Sequence, residues 1–413
     1  RTTLVEYPEM TRVPLLSKCY GELNAVSSLL HSVVKLQTVP MIYEVELNGI
    51  KEIFFREDCD NVAFKYQQIT LQFNQAAMQD WLLEKPDCLP VTKEVAEIFE
   101  SGFILNPLNK LNVHMKLEAL LKTKAINDKT EIVQRIIAWQ KKGLCALFSH
   151  IFIEAKDRLK SMLKSNVIYA DGYTMMELCN RLSLIDETNI FFFEDDLKKQ
   201  DRQTTLDQIN VEFLMYEWLG IDKDVLELWK VVHLSWNYKG KFIRSKLEGM
   251  RMTGQATTAI GNLITNMTNH WRFYQDRVEQ IQLVLLLGDD NLTVFKDWVD
   301  ISEVENDLAN RYNMVATPSL DKDVGCFCRL LVFKGPSGLQ LGPDFRRLRR
   351  RFEVFNTTDE WTEDLHIART MSYLTVMGKF STTIEIVEKL NLPLQLEQWY
   401  DLHTCKMACA LKY

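Results

Sequence analysis

Apolar residues along this chain change their spacing several times, and the changes outline its elements. From Cys19 to Lys35, and again from Leu117 to Lys164, they recur every three or four positions, the repeat of a helix with one buried face. Asn189 to Glu194 is instead a short run rich in Ile and Phe. Ile281 to Leu287 is an alternating segment, which resumes at Asn291 to Phe295 after a polar turn. Both predict strands. Between them, Leu206 to Leu219 and Gln255 to Asn269 return to helical spacing, and so does Arg346 to Tyr413 with a break at Pro393. The order strand, helix, helix, hairpin predicts an α+β fold in which an antiparallel sheet, flanked by helices, carries acidic residues at its strand ends.

With 413 residues, 46% hydrophobic and 25% charged, the chain has material for a large core and two or three folding units. Gly and Pro are sparse and no repeat or low-complexity tract marks a linker, so the units are expected to interleave. The chain opens on Arg1 without a charged and then apolar leader, and reads as a piece of a longer polypeptide or a processed product. Apolar runs such as Leu283 to Leu287 are too short to cross a bilayer, so membrane association is expected through partners. Nine irregularly spaced cysteines fit a reducing compartment, the cytosol, better than a disulfide framework. A net charge of -7 argues against an evenly basic nucleic-acid surface. Local charge changes that picture: Arg346, Arg347, Arg349, Arg350 and Arg351 form a dense run, and Lys110 to Lys164 is Lys-rich, so a basic channel is compatible with the overall acidity.

Three segments carry candidate chemistry. Leu285-Leu286-Leu287-Gly288-Asp289-Asp290-Asn291-Leu292 places two aspartates at a bend between apolar strands, with Gly288 free to take a left-handed backbone. Asp196 follows the strand that ends at Glu194, and Asp201 comes five residues later at a helix start. Between the two acidic sites, Thr253-Gly254 opens a segment running through Thr258 to Asn262, a glycine-led loop entering a helix that can bring N–H groups and hydroxyls to a nucleotide. Each has an ordinary reading: a plain hairpin turn, a solvated charged turn, a helix cap with a small-residue packing face. Together, in this order, they match what phosphoryl transfer needs. Two hard divalent cations call for carboxylates held on rigid strands.

These residues resemble the RNA-dependent RNA polymerases of positive-strand RNA viruses, most closely the alphavirus-like supergroup that includes the tobacco mosaic virus group. The likeness runs in consistent order from Val113 to Phe352. Asp196 and Asp201 match the family's motif A; Thr253, Gly254, Thr258 and Asn262 match motif B; Gly288, Asp289 and Asp290 match motif C. The resemblance implies a right hand, with an N-terminal segment and fingers in 1–185, a palm in 186–333 holding a fingers insertion near 220–250, and a thumb in 334–413. It further implies template-directed RNA synthesis in viral replication and transcription. Asp196, Asp289 and Asp290 would be the catalytic ligands of two Mg2+ ions, with Mn2+ as a substitute. Asp201 and Asn262, with Thr253, Gly254 and Thr258, would recognise the ribose and nucleotide. Arg135, Lys141 and Lys142, in a segment similar to motif F, would bind the triphosphate. Lys322 is the candidate general acid, and Arg346, Arg347 and Arg350 are candidates for binding RNA in the thumb. Gly325-Cys326-Phe327-Cys328, the strand Leu330 to Phe333 and Gly342-Pro343-Asp344 resemble the region that grips the primer end. Partners implied are template and product RNA, nucleoside triphosphates, capping and helicase domains of a larger replicase and, through them, host membranes in cytoplasmic replication complexes.

The chain departs from the family pattern at Gln200, Thr204, Thr253 and Asn291, none of which removes a candidate ligand. Two rival readings stay open: a noncatalytic RNA-binding protein that retains the fold, and a reverse transcriptase, although the latter expects an aromatic residue where this chain has Leu287-Gly288. The lysine pair can equally be a solvated helix end, and the arginine run a solvated or targeting stretch. His403, Cys405 and Cys409 have partial zinc-site spacing but lack a fourth ligand, so ordinary cysteines are the simpler reading. Trp218, Trp229, Trp236 and His233 are expected to pack rather than react.

Overall fold

Phe192 and Phe193 are neighbours in sequence yet belong to different cores, and that alternation organises the molecule. Both lie on β2 (Phe191–Asp195) of a five-stranded sheet with β1 (Val167–Tyr169), β3 (Ile281–Leu287), β4 (Asp290–Phe295) and β5 (Pro318–Asp321). The strand order is β5-β2-β4-β3-β1. Only β1 runs parallel to its neighbour; the remaining pairs are antiparallel. The computed structural model describes residues 11–12, 38–85, 88–105, 109–115, 136–185, 189–198, 200–233, 235–239, 244–335, 338–343 and 354–355.

On one face of this sheet, Phe193, Val284, Leu286 and Phe295 join a core built from helices. On the other, Phe192, Leu283, Leu285, Leu292 and Val294 pack against Phe327, Val332 and Leu341 of a three-stranded sheet, Val324–Phe327, Leu330–Gly335 and Gly338–Pro343. A sheet covered on both faces favours apolar side chains on both sides of each strand, which is why β3 is apolar without interruption from Leu283 to Leu287. Each fully buried Leu, Val or Phe there stabilises the fold by roughly 1.5–3 kcal/mol.

Four helices matter for the site: α1 (Tyr43–Phe54), α2 (Lys142–Met162), α3 (Leu206–Trp218) and α4 (Thr258–Gln275). α3 starts with a capping box, in which Thr205 and Gln208 satisfy each other's backbone N–H. α1 crosses α4 at Gly49, where a Cβ would lie 2.3 Å from the Trp271 ring. Buried Glu46 then accepts from Trp271 Nε1 and Arg272 Nη2, both at 2.6 Å, and from Tyr312 OH at 3.0 Å.

The single helix expected over Leu117 to Lys164 is corrected. Ile136–Trp139 is a strand, and the helix begins only at Lys142. This β-branched and aromatic stretch pairs with Lys110–Met115, which continues through Ser235–Lys239 to Arg244–Glu248 in a four-stranded sheet. The helix predicted over Gln255 to Asn269 instead spans Thr258–Gln275. Residues 117–135, hence Arg135, lie outside the described residues, as do Cys19 to Lys35, Arg346, Arg347, Arg350, His403, Cys405 and Cys409. No helix among the described residues is long and apolar enough to cross a membrane. Trp218, Trp229 and Trp236 are buried.

Candidate active site

The β3–β4 hairpin pairs Leu287 with Asp290, which leaves Gly288 and Asp289 as its two-residue turn. Gly288 takes φ +62, and a Cβ there would meet nothing within 4 Å, so backbone conformation rather than space calls for glycine. Asp289 and Asp290 are exposed. β2 pairs with β4 from Phe191↔Phe295 to Glu194↔Leu292. Continued by two residues, that register brings Asp196 beside Asp290. Asp196 is itself exposed, and it exchanges backbone hydrogen bonds with Thr317 at 3.5 and 3.2 Å. Three of the predicted carboxylates therefore share one edge of the sheet.

Glu194 shows how crowded this edge is. Its carboxyl is pushed up to about 7, first by burial and then by the negative charges of Asp321, Asp196 and Asp290, against a hydrogen bond from the Cys326 backbone. Concentrated negative charge of this kind is what a divalent cation relieves, and the all-oxygen donor set of Asp196, Asp289 and Asp290 suits a hard ion. Among the described residues, no three His, Cys, Asp or Glu side chains already converge on one point. Mg2+ does not require that, since it keeps waters and substrate phosphates in its shell and takes one or two protein carboxylates. The fold prefers Glu194 neutral. Its contribution to stability is therefore full below the ordinary carboxylate range and is lost as pH rises through about 7. Glu194→Gln is expected to lose less stability than the parent between pH 5 and 8, measured by denaturant unfolding without divalent ions.

Asp201 sits in the short helix Gln200–Gln203. Asn262 Nδ2 donates to its Oδ1 at 3.1 Å, and Thr253 Oγ1 donates to Oδ2 at 3.4 Å. Gln200, an unusual residue for the resemblance, donates from Nε2 to the Asn262 carbonyl at 3.2 Å, so it braces the same pair from beneath. The glycine-led loop is closed by Thr258, whose hydroxyl accepts from Gln255 N at 3.0 Å and donates to Met252 O at 2.9 Å. Gln255 also bonds His233 Nδ1 at 3.0 Å. Burial pulls that imidazole down to about 4, which fits a neutral, structural histidine.

Ile136–Trp139 runs alongside this loop, with Trp139 bridged to Gly254, where a Cβ would lie 2.9 Å from that of Trp139. Cys145 Sγ donates to Gly254 O at 3.2 Å. Lys141, which caps α2, and Lys142 in its first turn are thereby carried to the Thr253-Gly254 loop. The first turn of α2 is also held by Glu94 Oε2, which accepts from Gly143 N at 2.8 Å. Lys322 is not brought there. β5 pairs Pro318 with Asp195 and Asp321 with Phe192, so Lys322 follows the end of the strand remote from Asp196, about 16 Å along at ~3.3 Å per residue.

The turn after the Gly325-Cys326-Phe327-Cys328 stretch, and Asn266, join the site in ways the sequence reading did not specify. Cys328 and Arg329 form the two-residue turn of the Val324–Phe327 and Leu330–Gly335 hairpin, with φ +50 and +71 in place of the usual Asn-Gly. Burial, then the Asp290 carboxylate and a hydrogen bond to it, push the Cys328 thiol up, so this turn leans on the acidic edge. Asn266 Nδ2 donates to the carbonyls of Gly288 and Asp289, each at 3.3 Å. The available signal was its place four residues beyond Asn262 on one helix face.

A mixed sheet with carboxylates at the ends of its strands, a hydrogen-bonded Asp201–Asn262 pair and a lysine-bearing helix start is compatible with a nucleotidyl-transfer type of site. Residues 33–413 match the family described as RNA dependent RNA polymerase, and the chain belongs to that family. Among similar proteins, the replicase polyprotein 1ab of Grapevine leafroll-associated virus 3 (isolate United States/NY1) is 23% identical over 322 residues, 75% of this chain and 11% of the relative. The replicase large subunit of Potato mop-top virus (isolate Potato/Sweden/Sw) is 22% identical over 311 residues, 73% of this chain and 16% of the relative. The RNA-directed RNA polymerase 2a of Cucumber mosaic virus (strain As) is 27% identical over 169 residues, 39% of this chain and 18% of the relative. The chain thus spans a small part of the length of these relatives.

Proposed function

We propose that this chain is the catalytic part of a viral replicase that copies RNA, adding ribonucleotides to an RNA 3′ end. The observation that carries the reading is the meeting of Asp196, Asp289 and Asp290 at one sheet edge, with the Asp201–Asn262 pair hydrogen-bonded alongside. In this reading the chain is a right hand with fingers in 1–185, palm in 186–333 and thumb in 334–413, and its relatives are of the alphavirus-like supergroup. Two divalent cations, Mg2+ or Mn2+, would supply the charge that acidifies the 3′-hydroxyl and neutralises the departing pyrophosphate.

The protein's own part is positional. Asp196, Asp289 and Asp290 would hold the ions, from positions at and just past the ends of β2 and β4. Asp201 and Asn262 already donate and accept between themselves, so an incoming ribose 2′-hydroxyl finds an acceptor and a donor oriented for it. Lys141 and Lys142 would meet the triphosphate, whereas Lys322, at the far end of β5, is given no part in this reading. Arg135, Arg346, Arg347 and Arg350 are proposed for contacts to triphosphate and RNA. The polyprotein and large-subunit names of the relatives support further domains in the whole protein, and membrane-associated cytoplasmic assembly is part of the same proposal.

Primer extension with ribo- and deoxyribonucleotides on RNA and DNA templates tests the reading. Incorporation of ribonucleotides on RNA is expected, and Asn262→Ala should reduce ribose discrimination about 5- to 150-fold, the value of one buried hydrogen bond of ~1–3 kcal/mol. Preferential use of deoxyribonucleotides, or no template-directed synthesis, would overturn it.

A further inference from the structure

One face of α4 carries Asn262, Asn266 and His270 at four-residue intervals, all buried. Each touches a different part of the acidic edge. Asn262 holds Asp201, Asn266 donates to both carbonyls of the Gly288-Asp289 turn, and His270 Nε2 meets Asp195 Oδ2 at 3.0 Å, one residue before Asp196. His270 Nδ1 also lies 2.8 Å from the Asn266 carbonyl, which only accepts, so that nitrogen donates there; a second proton, on Nε2 or on the Asp195 carboxyl, completes the other contact, and the ring is then held from both sides.

No strand pair joins Asp196 directly to Asp289: on its β5 side Asp196 bonds Thr317, and on the β4 side the ladders stop short. β2 and β4 are paired only as far as Glu194↔Leu292, and β3 and β4 only to Leu287↔Asp290, so Asp196 and Asp289 lie just beyond the pairing. One amide bonded to two successive carbonyls sets the tilt of the peptide from which the Asp289 side chain leaves. One imidazole, together with the Thr317 backbone, holds the strand end from which Asp196 leaves. Both belong to a single helix, whose rise of about 6 Å between rungs is rigid.

We propose that Asn266 and His270 are positioning residues: α4 acts as a ruler that sets the gap between Asp196 and Asp289, and so the affinity of the site for divalent cations. The inference rests on the polymerase reading of those aspartates. It goes beyond it by assigning a role to two side chains that touch neither ion nor nucleotide. A core network that served only stability would have no reason to alter cation affinity in a folded variant.

The test uses the 413-residue chain without RNA or nucleotide, and reads Mn2+ affinity by the electron paramagnetic resonance of free Mn2+, with melting temperature as the control for folding. Partners behind a metal ligand typically contribute about 10- to 100-fold in affinity, and Asn266→Ala is expected to weaken Mn2+ binding by that factor. In primer extension it should lower kcat and raise the Mg2+ requirement, with KM for nucleotide within about twofold of the parent. His270 gives an independent pair. His270→Asn keeps a donor near Nδ1 and loses the reach to Asp195, whereas His270→Gln places an amide near Nε2. The first should mimic Asn266→Ala and the second should restore most of the affinity. Unchanged Mn2+ affinity in folded Asn266→Ala, or equal affinity in the two His270 variants, overturns the proposal. Asp289→Ala separates the two levels. If it too leaves Mn2+ affinity unchanged, the metal-site reading fails; if it alone loses affinity, only the ruler fails.

Discussion

Asp289→Ala is expected to lower template-directed incorporation by on the order of 10³-fold or more, while RNA binding stays within a few-fold of the parent. A bound divalent cation is worth several kcal/mol to a transition state in which charge accumulates, and about 4 kcal/mol corresponds to that factor. Asp289 is exposed at the tip of the turn, so removing its carboxylate disturbs no core packing. RNA contacts are expected from other residues, because protein contacts to nucleic acid go largely to phosphates. Single-turnover extension on a preformed RNA complex, alongside a filter-binding titration, measures the two quantities separately. An activity loss of less than tenfold would sink the assignment of Asp289 as a metal ligand.

The second large effect concerns stability. Arg251 and Glu212 are fully buried and paired through two hydrogen bonds, one of them Arg251 Nη1 to Glu212 Oε1 at 3.3 Å; Tyr216 OH donates to the same oxygen at 2.5 Å. Arg251 N also donates to Asp201 O at 3.0 Å, and a Cβ on Gly261 would lie 2.0 Å from Arg251 Nη1. This pair therefore fills the space between α3, α4 and the loop that carries Thr253. Arg251→Ala leaves a buried carboxylate without its counter-charge and is expected to cost about 3–5 kcal/mol. Arg251→Met combined with Glu212→Leu removes both charges and should recover most of that loss. Denaturant unfolding of the three proteins decides it: a double variant as unstable as Arg251→Ala would mean that shape, rather than the stranded charge, dominates.

What could be read from the sequence follows from how local each signal is. β3 and β4 were legible because a two-sided sheet writes itself as a continuous apolar run, and their turn because Gly288 and the aspartates have few other uses. α3 was legible from its spacing and cap. Ile136–Trp139 was misread because its partners lie at Lys110–Met115 and, across the loop, at Gly254, which no local window contains. The position of Lys322 depended on the register of β5 against β2, a quantity that one-residue slips change and spacing does not encode. Arg251, Glu212, Asn266 and His270 looked like ordinary polar helix or loop residues. Their burial comes from the packing of α4 against the sheet for Asn266 and His270, and against α3 for Arg251 and Glu212, which only the folded chain reveals.

The central sheet has a further consequence, for behaviour at high concentration. Its rims are its shortest strands, β5 with four residues and β1 with three, while the middle strands have five, six and seven. Long rows of open N–H and C=O groups, which invite a second molecule to add its own strand, are thus absent from both rims of this sheet. The uncharged, proline-free stretch Ile281–Leu287, the kind of segment that stacks into fibrils, is sealed between neighbours on both sides and is released only when the whole sheet opens.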